Sequence, residues 1–180
     1  MQDQRRALGV PRPATAADAA PLCALINSAY RGESSRQGWT TETDLVGGGR
    51  TDETTLAEMI ATEGNVFLVF DSDTGPIASV FLQREDGRAY LGLLSVSPTR
   101  QAEGLGKRLL AEAERWVTRE WKLTRIIMSV IRQRHELIAW YERRGYHLTG
   151  ETWPFDINDE RFGLPKVEGL EFAALEKVLA

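Results

Sequence analysis

Apolar residues along this chain recur at helical and strand spacings in turn. After Thr15 and Asp18, which form the pattern of a capping box, Leu22, Leu25, Ile26, Ala29 and Tyr30 fall at helical spacing and predict a helix over residues 15–30. Residues 31–50 are polar and glycine-rich with one large aromatic, Trp39; a connection this long without its own structure is expected to be functional or mobile. Thr51 or Asp52 can cap a short helix carrying Leu56, Met59 and Ile60, and residues 66–70 then read as a buried strand followed by a hairpin turn at 71–76. Strand-like runs at 77–83 and 88–96 flank Glu85, Asp86 and Gly87, so the sheet begins as an antiparallel meander. Residues 105–121 carry Leu105, Leu109, Leu110, Ala113, Trp116 and Val117 on one stripe, with Glu103, Lys107, Glu112, Glu114 and Arg115 for the other face. A β-branched strand at 126–130, a helix at 134–144 stopped by Gly145, and strands at 146–149 and 170–175 complete the order. No internal repeat and no linker divides these elements, so one α/β (α+β) domain over residues 1–180 with a mixed sheet is expected.

Composition narrows the function classes. At 180 residues, 42% hydrophobic and 27% charged, the chain has the usual make-up of a globular domain, neither disordered nor membrane-embedded. Cys23 is the lone cysteine, and no cluster of His with acidic residues has metal spacing, so no metal is expected. The N-terminal MQDQRRALGVPRP lacks the apolar run of a leader and no window approaches the ~18 apolar residues of a membrane span, which makes the cytoplasm the expected location. A formal charge of -4 and a pI near 5.3 argue against a nucleic-acid partner, because phosphate binding needs Lys and Arg in local excess.

The chemistry is concentrated between Leu93 and Lys107. There a strand runs into a turn that opens the long amphipathic helix, and two glycines, Gly104 and Gly106, stand at its start. Glycine lets a ligand approach the backbone, and the unpaired N–H groups and positive dipole end of a helix attract phosphate. The segment has no Gly-Lys-Ser or Gly-Lys-Thr of a Walker loop and no GxGxxG, and the chain lacks a magnesium-binding acidic constellation, which disfavours a kinase-like enzyme. Gln101-Ala102-Glu103-Gly104-Leu105-Gly106, preceded by Val-x-Pro, resembles the Q/R-x-x-G-x-G/A signature of the GNAT superfamily of N-acetyltransferases. Leu137-Ile138-Ala139-Trp140-Tyr141-Glu142-Arg143-Arg144-Gly145-Tyr146 is similar to that family's second block, commonly A-x-x-x-Y-x-x-x-G-F/Y.

The resemblance implies a GNAT fold, with a central mixed, mostly antiparallel twisted sheet of about six to seven strands flanked by about four helices. It implies acetyl-CoA as the cofactor and transfer of its acetyl group, by direct attack in a ternary complex, to a primary amine of a small molecule or peptide. An oxyanion donor, an acid for the leaving thiolate and a base for the amine are then needed. By the same resemblance the strand residues Leu94, Ser95 and Val96 hold the cofactor through backbone N–H groups. Gln101, Ala102, Glu103, Gly104, Leu105, Gly106 and Lys107 cradle its pyrophosphate, and Arg100, Lys107 or Arg134 pairs with the 3'-phosphate. Tyr141 matches the position whose hydroxyl lies near the cofactor sulfur, and a phenol with a pKa of ~10 is protonated at neutral pH. Trp140, Arg143 and Arg144 read as packing and solvated surface.

The resemblance weakens at the base. Where many members carry a strand carboxylate, this chain has Gly92, Leu93, Leu94 and Ser95. Glu33, Glu42 and His135 are the candidates in its place. Acceptor recognition is assigned to Glu33, Trp39 and Glu42 in the first loop and to Phe155 in the loop over 153–165, where Glu42 and Asp44 would suit a cationic amine. The missing carboxylate also motivates a second reading, an acyl-CoA-binding regulatory module without turnover. A monomer or a homodimer fits either.

Overall fold

The computed structural model describes residues 8–180, so the first seven residues of the segment inspected for a leader lie outside the described residues. Nine strands are present among the described residues: β1 (Arg12–Pro13), β2 (Val46–Gly47), β3 (Asn65–Ser72), β4 (Gly75–Glu85), β5 (Arg88–Val96), β6 (Arg125–Ile131), β7 (His147–Pro154), β8 (Leu164–Pro165) and β9 (Glu171–Val178). Four α-helices accompany them: α1 (Ala19–Tyr30), α2 (Glu53–Ala61), α3 (Leu105–Arg119) and α4 (His135–Glu142). Seven strands form one sheet in the order β1-β3-β4-β5-β6-β9-β7, antiparallel throughout except for β5 against β6. This is the mixed, mostly antiparallel sheet with four helices that the resemblance implies.

Strand period places the core on both faces of the sheet. In β3, Phe67 and Val69 face a cluster with Leu22 and Ile26 of α1 and Leu56 of α2, whereas Leu68 and Phe70 face the opposite cluster with Leu105, Leu109 and Leu110 of α3. The predicted stripe of α3 is buried as expected, Leu105, Leu109, Leu110, Ala113 and Val117 all packing inward. Three departures from the sequence expectation matter. The first helix begins at Ala19 after a 3-10 turn over Ala16–Asp18. β7 and β9 run longer than predicted because they pair with one another, β7 forming an exposed sheet edge in which Leu148 and Trp153 stand five positions apart and give no alternating apolar pattern. The loop over residues 31–50 is not structureless: a 3-10 turn spans Glu33–Gln37, and β2 pairs antiparallel with β8, binding the first polar loop to the one near the C-terminus.

The start of α1 is held by charge. The Thr15 N–H donates to Asp18 Oδ2 at 2.7 Å, and Arg12 Nη1 and Nη2 donate to the two Asp18 oxygens at 2.8 Å each. Arg12 beside it, more than the Thr15 amide, holds the Asp18 carboxyl down at about 2. A carboxyl depressed in the folded state stabilises the fold above its unfolded value near ~3.9, and that contribution is lost as pH falls through the folded value. Asp18→Asn is therefore expected to lower stability at neutral pH by about 1 kcal/mol, a typical cost for a lost cap. In urea titrations followed from pH 7 down to pH 2, the gap between the two proteins should close below about pH 4.

Candidate active site

The site opens where β5 parts from β6. Their parallel pairing is confined to Ala89 with Ile126 and Tyr90 with Ile127. Further along, β5 carries a bulge: Ser79 of β4 faces Ser95, but Phe81 faces Gly92, so Leu93 and Leu94 together oppose one residue. Leu93 sits at φ 50, the left-handed region that a bulky side chain enters at a cost of about 1–2 kcal/mol. The carbonyls turned out by the bulge are captured locally. Ser95 Oγ donates to the Leu93 carbonyl at 3.0 Å, and the buried Tyr30 hydroxyl donates to the Leu94 carbonyl.

Two open cavities, about 650 and 600 Å³ with the adjoining solvent space included, lie on either side of this bulge and share a wall of Tyr30, Leu94, Leu137 and Tyr141. The smaller contains Trp39, Val96, Gln101, Gly104, Gly106, Lys107, Trp140 and Arg144. Gly104, at φ 75, turns the chain from a 3-10 turn over Pro98–Glu103 into α3. The first α3 hydrogen bond runs from the Arg108 N–H to the Gly104 carbonyl at 3.1 Å, so the amides of Leu105, Gly106 and Lys107 have no intrahelical acceptor. A Cβ on Gly106 would stand 3.5 Å from the Trp140 ring, so the first turn of α3 lies directly against that indole. Gln101 fastens the rim, its Nε2 donating to Thr40 Oγ1 at 2.7 Å and to the Val96 carbonyl at 3.1 Å while its Oε1 accepts from the Trp39 N–H at 2.8 Å.

The larger cavity is lined by Tyr90, Ser129, Phe155, Phe162 and Phe172 together with Arg31, Glu42, Arg50 and Arg134. Glu42 is buried and its oxygens are taken: Oε2 accepts from Arg31 Nε at 3.2 Å and Nη2 at 3.1 Å, and Oε1 from Arg134 Nη1 at 3.1 Å. Arg31 Nη1 further donates to the carbonyls of Gly49 at 2.6 Å, Gly47 at 3.2 Å and Phe162 at 3.2 Å, and Arg134 Nη2 donates to the Thr40 carbonyl at 2.6 Å. Tyr141 stands on the shared wall, edge-on to Trp140 at 5.0 Å and to Tyr146 at 5.7 Å. Burial pushes its phenol well above the ordinary value, so it carries its proton at neutral pH. Its hydroxyl makes no hydrogen bond to another described residue.

Several sequence expectations change places here. Arg134, expected at a 3'-phosphate, is turned inward to Glu42, while Arg100 pairs with Glu103 at 2.9 Å. Arg144, expected as solvated surface, lies on the wall of the smaller cavity with its guanidinium 3.7 Å above the Trp140 ring. Trp39, expected on the acceptor side, faces Trp140 across 6.2 Å in the smaller cavity. Glu33 is exposed and pairs with Arg36, and His135 is the exposed first residue of α4; neither borders a cavity. Glu42 does border one, but as the partner of two guanidinium groups and not as an available base. Phe155 lies in the larger cavity, stacked on Phe172 at 5.0 Å. Of the motif, Gln101, Gly104, Gly106 and Lys107 line the smaller cavity with Leu94 and Val96, whereas Leu105 is core, Ala102 and Glu103 are exposed, and Ser95 serves the bulge. Tyr30 was missed because it closes the apolar stripe of α1 and reads as core.

The acetyltransferase (GNAT) family model matches residues 26–146, two thirds of the chain, and the chain belongs to that family of acyltransferases. Solved structures with the same fold include an acetyltransferase of the GNAT family from Streptococcus pneumoniae, 19% identical over 96% of this chain and 99% of that one, with a TM-score of 0.65. Another is yncA from Salmonella typhimurium with its cofactor acetyl-CoA, 17% identical over 96% and 94% with a TM-score of 0.70. A chimera of the spermidine N-acetyltransferase SpeG from Vibrio cholerae and hSSAT is 15% identical over 95% of each chain with a TM-score of 0.66. No curated protein matches the chain. No described helix is long and apolar enough to cross a membrane, and no group of three His, Cys, Asp or Glu among the described residues could hold a metal ion.

Because Glu42 is the sole carboxylate paired with Arg31 and Arg134 among the described residues, its removal leaves two buried cations without a counter-charge. Glu42→Ala is expected to cost about 3–5 kcal/mol, measured as a drop in the urea midpoint at unchanged slope.

Proposed function

We propose that this chain is a one-domain N-acetyltransferase that moves an acetyl group from acetyl-CoA to a primary amine of a small molecule or peptide by direct attack in a ternary complex, and that it works in the cytoplasm. The observation that carries this is the shared wall: two cavities meet at Tyr30, Leu94, Leu137 and Tyr141, so two ligands can approach each other without an intermediate carrier on the protein. Cys23, the only thiol, contacts the Thr51 carbonyl and Asn27 and borders neither cavity, which disfavours a cysteine-bound acyl group. The smaller cavity suits coenzyme A, since it combines free amides at a helix start, a glycine cradle, the cations of Lys107 and Arg144 and two indole rings.

Bound acetyl-CoA supplies a thioester acyl group; transfer forms a nitrogen–carbon bond, breaks the carbon–sulfur bond, removes a proton from nitrogen and delivers one to sulfur. The chain's part is positioning and proton supply. Tyr141, protonated and without a hydrogen-bond partner among the described residues, is the group on the shared wall able to give a proton to a leaving thiolate. The backbone at Leu94 belongs to neither strand ladder, which leaves its N–H available to an oxygen at that point. None of Glu33, Glu42 and His135 is offered to the cavities as a free base, so a proton leaving the amine is passed to water.

Two variants separate the roles. Tyr141→Phe should lower kcat by about 10²-fold or more while keeping the melting-temperature rise on adding acetyl-CoA; an unchanged rate would remove Tyr141 from the chemistry, and a thermal shift without thiol release from the unmodified chain for any amine would favour an acyl-CoA-binding module over an enzyme. Gly104→Val should remain folded by circular dichroism yet lose that thermal shift, because a β-branched residue cannot hold the left-handed turn that presents the α3 amides.

A further inference from the structure

Resting on the transferase reading above, we infer that the acceptor is an amino acid with an apolar or aromatic side chain, and that the Arg50 guanidinium binds its carboxylate. The charged groups of the larger cavity are unequal: Arg31, Arg50 and Arg134 against Glu42 alone, with no other acidic, lysine or histidine side chain on its wall. Three positive charges against one negative leave an excess of two. Two of the three guanidiniums have their partners within the protein, since Arg31 and Arg134 share Glu42 and donate to four backbone carbonyls between them. Arg50 differs. Its backbone is fixed, the N–H donating to Asn27 Oδ1 at 2.7 Å, but its half-buried guanidinium has no hydrogen bond or ion pair among the described residues. It stands 5.9 Å from the centre of the Tyr30 ring, on the wall common to both cavities.

A guanidinium presented to a cavity without an internal partner matches a carboxylate in planar, two-bond geometry. Arg50 neighbours Tyr30, which lines both cavities, so a carboxylate held on Arg50 lies on the side of the larger cavity next to the shared wall. The rest of the wall, Phe155, Ile157, Phe162 and Phe172, is apolar and would take the side chain. The same positive excess opposes a polyamine or an aminoglycoside, whose additional ammonium groups it would repel. It also disfavours the ammonium form of an amine held against it, which raises the share of the neutral nucleophile in a site without a free carboxylate base. The cationic acceptor suggested by Glu42 and Asp44 in the sequence loses its basis, because Glu42 is already matched and Asp44 is exposed and paired with Arg36 at 2.9 Å.

The test compares matched amines with the full chain and acetyl-CoA: L-phenylalanine against phenethylamine, L-leucine against isoamylamine, and spermidine. The expected result is a preference of at least tenfold in kcat/KM for each amino acid over its decarboxylated amine, with spermidine poorest. In Arg50→Met that preference should fall toward one, while the thermal shift with acetyl-CoA is retained. Decarboxylated amines or spermidine turned over as well as the amino acids would overturn the inference while the shift upholds the transferase reading; a preference that survives Arg50→Met would overturn the assignment to Arg50. If no thiol is released, calorimetric titration of the same pairs into the protein with coenzyme A reads the same preference as binding, and equal or absent binding of the amino acids overturns the proposal. Absence of any acetyl-CoA shift in the unmodified chain would remove both readings together.

Discussion

The larger cavity depends on one buried carboxylate. Glu42 stands between Arg31 and Arg134, which come from the end of α1 and the start of α4. Charges removed from water are costly to hold, so a buried trio of this kind persists where additional hydrogen bonds complete it. Here they do: Arg31 reaches carbonyls in both polar loops, and the Glu42 N–H donates to the Tyr30 carbonyl at 2.8 Å. Two loops that would otherwise carry unsatisfied backbone are thereby drawn to one centre. The β2–β8 pair and the bond from Lys166 Nζ to the Thr43 carbonyl, 2.7 Å, extend the same closure outward. Arg31, Glu42 and Arg134 together form part of the wall of the larger cavity.

A second constraint, the bulge in β5, turns this frame into a site. An extra residue at Leu93 and Leu94 breaks the ladder with β4 and accompanies the early end of pairing with β6. The sheet therefore opens within a core that is otherwise closely packed, and the opening reaches helix starts on one side and the arginine-rich loops on the other. Tyr30 links the two constraints. It belongs to the helix that ends at Arg31, and its hydroxyl holds the Leu94 carbonyl displaced by the bulge. The strained backbone at Leu93 is thus supported by the same segment that anchors Glu42.

Chemistry at the shared wall follows from burial and from what is left unpaired. Tyr141 keeps its proton because burial, more than any nearby charge, penalises the phenolate. The α3 amides and the Arg50 guanidinium are donors without internal partners, one set in each cavity. Apart from the Tyr141 hydroxyl on the shared wall, the other polar side chains of the larger cavity are matched among the described residues, Tyr90 and Ser129 by one another and Tyr30 by the Leu94 carbonyl.

The sequence by itself determined the order of the longer elements, the helical stripe of α3, the alternating faces of the meander and the two motif blocks, since these are written in local periodicity and glycine placement; the two-residue strands β1, β2 and β8 are too short to leave such a pattern. The turn at Gly104 was legible for the same reason, while the resemblance to the family singled out Tyr141, which the fold sets on the shared wall. Only the tertiary structure decided the charge of the larger cavity. Glu42 reads in sequence as an acid available for a cationic amine, and nothing nearby in the chain reveals that Arg134, ninety-two positions away, neutralises it together with Arg31. Trp39 reads as an acceptor-loop aromatic until the fold sets it against Trp140, and Arg144 reads as surface until the parting of β5 and β6 makes a wall of it. Local pattern records which face of an element is apolar; the partners of a charge are fixed by chain segments far apart in sequence, and those meet only when the chain has folded.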